Sequence, residues 1–168
     1  MTKKVIWIIV FLLFTIITLF FILNTKIVKF YYLDYKGNPN IVYVKILFLP
    51  SNESIALEKL IDAYLKFAKN SYVNSELLSY MALQSVHVVK NECFINMNMR
   101  DFNNAEFSSF SEMRSLIMLF KTILEYDKDI EIFKIDGLEK YFQHINTRFP
   151  IRLDGNNLII IAGDVNES

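Results

Sequence analysis

The sequence predicts an α+β protein: an N-terminal transmembrane helix, then a two-layer domain with a small, mostly antiparallel sheet and two helices on one face. Three observations predict it. Residues 5–23, VIWIIVFLLFTIITLFFIL, form an apolar run interrupted only by two threonines. At ~1.5 Å per residue, such a run reaches across the roughly 30 Å hydrocarbon core of a bilayer. Beyond it, segments rich in β-branched and aromatic residues come in pairs separated by turn residues, the pattern of hairpins. Two further stretches carry apolar residues at helical spacing.

The first element is expected to stay in place as an anchor. A cleaved signal peptide has a shorter apolar core and a small-residue cleavage site, whereas Asn24-Thr25-Lys26-Ile27 offers no such pattern. The lone cysteine, Cys93, is far from the position a lipid-modified leader requires. A buried helix of a globular domain is disfavoured because the run lacks a polar face. Lys3 and Lys4 flank one end and Lys26 and Lys29 the other, so the positive-inside bias is weak. The short tail is expected to remain inside and the long C-terminal part to be exported. The expected organisation is a cytoplasmic tail over 1–4, an anchor over 5–23, a linker over 24–27, a domain over 28–154 and a C-terminal strand or tail over 155–168. The expected location is the inner (cytoplasmic) membrane, crossed once, with residues 5–23 as the membrane contact.

Composition narrows the function classes. About 145 residues remain beyond the anchor, enough for one domain with a core of its own. The 168-residue chain has 18 basic and 18 acidic residues. Two of the basic residues precede the anchor, so the displayed part is slightly acidic, and no nucleic-acid partner, which would need clustered cations to neutralise phosphates, is expected. One cysteine excludes an internal disulfide framework, and only 4 glycines and 3 prolines leave no room for long flexible linkers. Richness in Lys, Asn, Ile, Phe and Tyr fits an AT-rich bacterial genome.

Each element follows from its residues. Val28–Tyr35 alternates and reads as a strand; Lys36-Gly37-Asn38-Pro39-Asn40 is turn chemistry, and Ile41–Phe48 is the returning strand. After Pro50, Ser51 and Asn52 are good N-cap types, and Glu53 suits the positive end of a helix. Leu57, Leu60, Ile61, Tyr64, Leu65 and Ala68 define an amphipathic helix over 54–68. A polar loop over 69–75 and a helical turn over 76–81 lead to a second hairpin, Leu83–Lys90 and Cys93–Asp101, closed by Asn91-Glu92. Ser109 and Glu112 form an S-x-x-E capping box ahead of a stripe of Met113, Leu116, Ile117, Phe120, Ile123 and Leu124. Ile130–Ile135 is a fifth strand with Asp136-Gly137 as its turn. Leu138–Ile145 is short and amphipathic, and 148–153 and 158–162 could each be a final strand.

This order, with a few local strings, resembles the GerMN domain of sporulation and spore-germination proteins. Phe30-Tyr31-Tyr32-Leu33-Asp34, followed by Gly37, is similar to that family's first strand and turn. Ile55-Ala56-Leu57-Glu58-Lys59-Leu60 is similar to its first helix, Phe94–Asp101 to its second hairpin strand, and Ile132–Gly137 to its closing D-G strand. The chain departs from the family at Lys69-Asn70, where Gly-Pro is usual, and at Ala82-Leu83, where Leu-Pro is usual. The resemblance implies a domain held outside the membrane that helps build envelope complexes, with no catalytic centre. Sporulation is not carried over with it.

The residues themselves offer no enzyme motif. A Cys–His nucleophile needs contact between the two groups, but alternation places Cys93 inward and His87 outward. Asp127, Asp129 and Glu131 could bind a hard cation; a solvated turn is the preferred reading, and neither metal nor cofactor is expected. With Val42, Val44, Ile46, Val86, Val88, Ile95 and Met97 packed under the helices, the open sheet face would carry Tyr31, Tyr43, Lys45, His87, Phe94, Asn96, Asn98, Arg100 and Phe133. Aromatics mixed with Arg and Asn suit a protein interface. Gly37, Asp136 and Gly137 are assigned to turns. The expected function is thus a membrane-anchored, extracytoplasmic scaffold or adaptor for a bacterial envelope complex, partnered by an envelope protein or by its own copies. The alternatives are a module binding a peptidoglycan fragment or small solute, and a cell-envelope hydrolase with dispersed carboxylates.

Overall fold

The computed structural model describes residues 3–34, 36–70, 76–100 and 108–161. Helix α1 spans Lys3–Leu23, and none of its residues is buried. Its two hydroxyls are satisfied within the helix: Thr15 and Thr18 donate to the carbonyls of Phe11 and Phe14 at 2.8 Å. An apolar helix can carry threonine in this way without exposing an unpaired polar group. At its C-terminal end, Asn24 Nδ2 and Thr25 Oγ1 donate to the Phe20 and Phe21 carbonyls, which would otherwise be orphaned.

The chain then enters strand β1 (Thr25–Leu33) directly, so the stretch expected as a linker over 24–27 is already strand from Thr25. Strand β2 (Pro39–Leu47) returns antiparallel, from Leu33↔Pro39 to Thr25↔Leu47. The Asp34 carboxylate fixes the connection by accepting the amides of Lys36 and Asn38 at 2.8 Å. The Asn38 amide above all holds that carboxyl below its ordinary pKa. Gly37 sits in this turn at φ +79, a conformation open to glycine at little cost.

Helix α2 (Glu53–Asn70) begins where Asn52 Oδ1 accepts the Ile55 amide, as its N-cap residue type predicts. The expected apolar stripe from Leu57 to Ala68 is buried. A short helix α3 (Glu76–Tyr80) leads into strands β3 (Met81–Val89) and β4 (Glu92–Met99). Their turn falls at Lys90-Asn91, one residue earlier than expected, with Lys90 taking a left-handed φ of 58. Helix α4 (Ser109–Tyr126) then carries the chain across to strand β5 (Ile132–Asp136), which pairs parallel with β4. A helix-length crossover is what parallel pairing requires. Strands β6 (Ile151–Asp154) and β7 (Asn157–Ile160) complete the order β3-β4-β5-β6-β7.

The α+β class and the N-terminal apolar helix are therefore as the sequence predicts. Among the described residues, however, the strands divide into a two-stranded and a five-stranded sheet. Side chains of the helices tie the β1–β2 hairpin in place. The Tyr31 amide donates to Thr122 Oγ1 of α4 at 3.0 Å, and the Tyr31 carbonyl accepts Tyr64 Oη of α2 at 2.7 Å. The backbone edge of β1 is thus covered at its middle by side chains, one way a sheet edge is protected from stray pairing. Aromatic packing fills the space between: Phe30 meets Tyr64 edge-on at 5.3 Å, and Phe120 stacks on Phe133 at 4.0 Å.

The α4 start differs from the expected capping box. Ser108, not Ser109, is the N-cap and accepts the Ser111 amide. Glu112 lies one position too far along to close a box with it. Its carboxylate is fully buried and turns to the 143–145 backbone instead. Leu138–Ile145 consequently forms turns around this carboxylate, with Leu138 and Phe142 buried, and not a helix.

Candidate functional site

The residues expected on one open face fall into three groups. His87, Asn96 and Asn98 are exposed side by side on β3 and β4, with Phe94 half-buried beside them and Arg100 just past the strand end. His87 and Phe94 are cross-strand partners. Lys134 Nζ lies 4.7 Å from the Phe94 ring centroid and pairs with Glu92 at 2.6 Å. This group is the outer surface of the five-stranded sheet.

Tyr31 and Tyr43 belong to the other sheet. Tyr43 is exposed on β2, while Tyr31 Oη donates to Glu125 Oε2 at 3.2 Å. Glu125 also pairs with Lys29 at 2.6 Å. The Lys29 hydrogen bond holds the Glu125 carboxyl below its usual range, and the same bond holds Lys29 above its own. An ion pair this open to water contributes little to stability. It fixes the end of α4 against β1.

Phe133 is the third group, and here the expectation needs correcting. It is 0% exposed and stacked on Phe120. The parallel register Cys93↔Phe133 puts both residues on the inward face of the sheet. Alternation alone defines two faces of a strand; the neighbouring strand decides which one is buried. Lys134 and Asp136 on one side of β5, against Phe133 and Ile135 on the other, was the available signal.

The polar groups weighed for catalysis or metal binding are placed as follows. Cys93 is fully buried, and burial pushes its thiol up to about 12. It is a thiol at neutral pH and carries no nucleophilic thiolate. Its cross-strand partner is Val88, with the exposed His87 facing the other way. Asp127 closes α4, its amide donating to the Ile123 carbonyl. Glu131 accepts Asn91 Nδ2 at 2.8 Å. Among the described residues, no group of three or more His, Cys, Asp or Glu side chains is placed to hold a metal ion.

One pair escaped the sequence reading. Glu53, opening α2, lies beside the Asp127 carboxyl at the end of α4; hydrogen bonding to Asp127, partial desolvation and the charges of Asp127 and Asp129 push Glu53 up to about 7. The two acids lie 74 positions apart, so no local pattern announces them.

A depression of about 550 Å³ lies at the edge of the outer sheet face, lined by Gln84, Asn96, Asn98, Gly137, Lys140 and Arg148 among others. It is broad and open, with Met97 of β4 also in its lining. It brings together side-chain amides, the Lys140 and Arg148 cations and the Glu139 carboxylate.

No protein-family model matches the chain, and no curated protein matches it. Among solved structures, it is similar to a presumed lipoprotein from Clostridium perfringens at 20% identity and a TM-score of 0.39, over 66% of this chain and 72% of that one. A superposition of that quality establishes neither a shared fold nor a shared role.

Proposed function

We propose that the chain is a single-pass protein of the inner membrane whose α+β module stands outside the cytoplasm as a scaffold or adaptor in envelope assembly, without catalysis of its own. One observation carries the reading: α1 is long enough to span a bilayer, has a mean hydropathy of 3.1 over its most apolar window, and buries none of that window against the rest of the protein. A core helix would be covered by its own domain. A lipid bilayer would remove this apolar surface from water. Tethering also supports an adaptor role, because anchoring raises the local concentration of each partner and lets weak contacts suffice. The order of hairpin, helix, hairpin, helix and strand supports a GerMN-like module.

The outer face of β3 and β4 is the surface this role would use. A photo-crosslinking residue in place of Asn96 or Asn98 in the native cell is expected to give discrete protein adducts, and one in place of Lys66 on the outer face of α2 none. Absence of adducts at both Asn positions, in a protein of normal abundance, contradicts the scaffold role. A second reading, capture of a peptidoglycan fragment, is favoured by the amides and cations of the 550 Å³ depression. Saturable heat on titration with soluble peptidoglycan fragments, abolished by Arg148→Ala, would replace the scaffold by a ligand-binding module.

A further inference from the structure

We propose that the β2–α2 turn is a second membrane contact, in which Phe48, with Leu47 and Ile27, enters the boundary between headgroups and acyl chains of the bilayer that α1 crosses. The inference rests on α1 remaining as the anchor. Phe48 is a bulky residue held at a left-handed φ of 57, a genuine outlier for such a side chain. Three hydrogen bonds hold the turn: the Phe48 amide donates to the Asn24 carbonyl at 2.9 Å, and Lys59 Nζ donates to the carbonyls of Leu47 and Phe48 at 2.7 and 3.0 Å. The result is an aromatic ring turned away from the domain core, 40% exposed, and packed on the anchor itself. Its centroid lies 5.5 Å from that of Phe20 and 6.0 Å from that of Phe21.

That contact sets the depth. Phe20 and Phe21 belong to the last turn of α1, which ends at Leu23. At ~1.5 Å per residue they sit only about 3–5 Å below the end of the helix. A ring touching both lies at the same level, which is where interfacial aromatic side chains settle. The neighbouring surface continues the pattern. Leu47 is the cross-strand partner of Thr25, and Ile27 shares that face, 64% exposed. Lys45 faces Ile27 across the hairpin; its stem can lie along apolar surface with its ammonium group among lipid phosphates. Continuity with the membrane-spanning helix, and not apolarity alone, selects the bilayer as the occupant. Ile41 on the same hairpin face is also exposed but lies six residues before Leu47 at the other end of β2, ~20 Å away.

The test uses the full chain in vesicles of phosphatidylcholine and phosphatidylglycerol. Trp7 is the single tryptophan, so Trp7→Phe supplies a silent background for one tryptophan at a time. Phe48→Trp and Ile27→Trp are expected to be quenched by lipids brominated near the headgroup, several-fold more strongly than Ile41→Trp, which should answer only to aqueous iodide. Phe14→Trp should be quenched best by deeply brominated lipid. If Phe48→Trp and Ile27→Trp behave like Ile41→Trp while Phe14→Trp is quenched from the deep position, the second contact is refuted and the anchor stands. If Phe14→Trp escapes every brominated lipid, the anchor fails and this inference fails with it. Two independent probe positions keep the result interpretable should either variant fold poorly.

Discussion

Gly137→Ala is expected to destabilise the α+β domain by about 3–5 kcal/mol, at the upper end of single-site effects. Two causes combine. Gly137 sits at φ +88, and a Cβ built there would lie 2.0 Å from the Met97 carbonyl oxygen and 3.2 Å from its carbon. The obstacle is backbone in the middle of the sheet, so it cannot swing aside as a side chain would. The geometry follows from topology. β5 runs parallel to β4 with Asp136 opposite Asn96, and the chain must leave the sheet pressed against the next β4 carbonyl. Gly155 separates the two causes. It also has positive φ, +59, but an added Cβ meets nothing within 4 Å. Gly155→Ala should therefore cost only the ~1–2 kcal/mol of the left-handed conformation. Urea denaturation of both variants measures the difference. Equal losses at the two sites would mean that the Gly137–Met97 approach has no energetic weight.

Glu112→Ala is expected to cost a comparable amount, about 3–5 kcal/mol. The carboxylate is 0% exposed and accepts three backbone amides: Gln143 on Oε1 at 2.9 Å, and His144 and Ile145 on Oε2 at 3.0 and 3.1 Å. Removing it leaves those donors unpaired, each at a cost of about 1–3 kcal/mol where water does not replace the acceptor. Glu112→Gln keeps the shape and one acceptor oxygen but turns an N–H₂ group toward one of the donors. It should lose roughly half as much. Faster amide exchange confined to residues 143–145 would locate the effect. An alanine variant within ~0.5 kcal/mol of the parent, the range of an ordinary surface change, would show that the 138–149 segment holds itself without the carboxylate.

These two sites also show where sequence reasoning stops. Local patterns were legible: the uniform apolar run of α1, the Asn52 cap, the stripe from Leu57 to Ala68 and the alternation of β4 all appear as expected. Gly137 was legible as a turn residue, but its approach to Met97 depends on a parallel pairing across a helix-length crossover. Glu112 had the right spacing for a capping box, yet a donor set 31 to 33 positions away supplied more hydrogen bonds than one N-cap amide could. Phe133 failed for the same reason, since the face a strand buries is set by partners remote in sequence. The candidate surface was half legible. His87, Phe94, Asn96 and Asn98 sit together because one hairpin holds them. Tyr31 and Tyr43 went elsewhere because no local signal says whether two hairpins share a sheet.

The central claim is that α1 is retained as a membrane span, and the intact mass of the protein recovered from cell membranes after alkaline carbonate washing tests it most directly. The account predicts a carbonate-resistant species whose mass includes the whole of Lys3–Leu23. A species shortened to begin beyond Leu23, or full recovery in the wash, would contradict it.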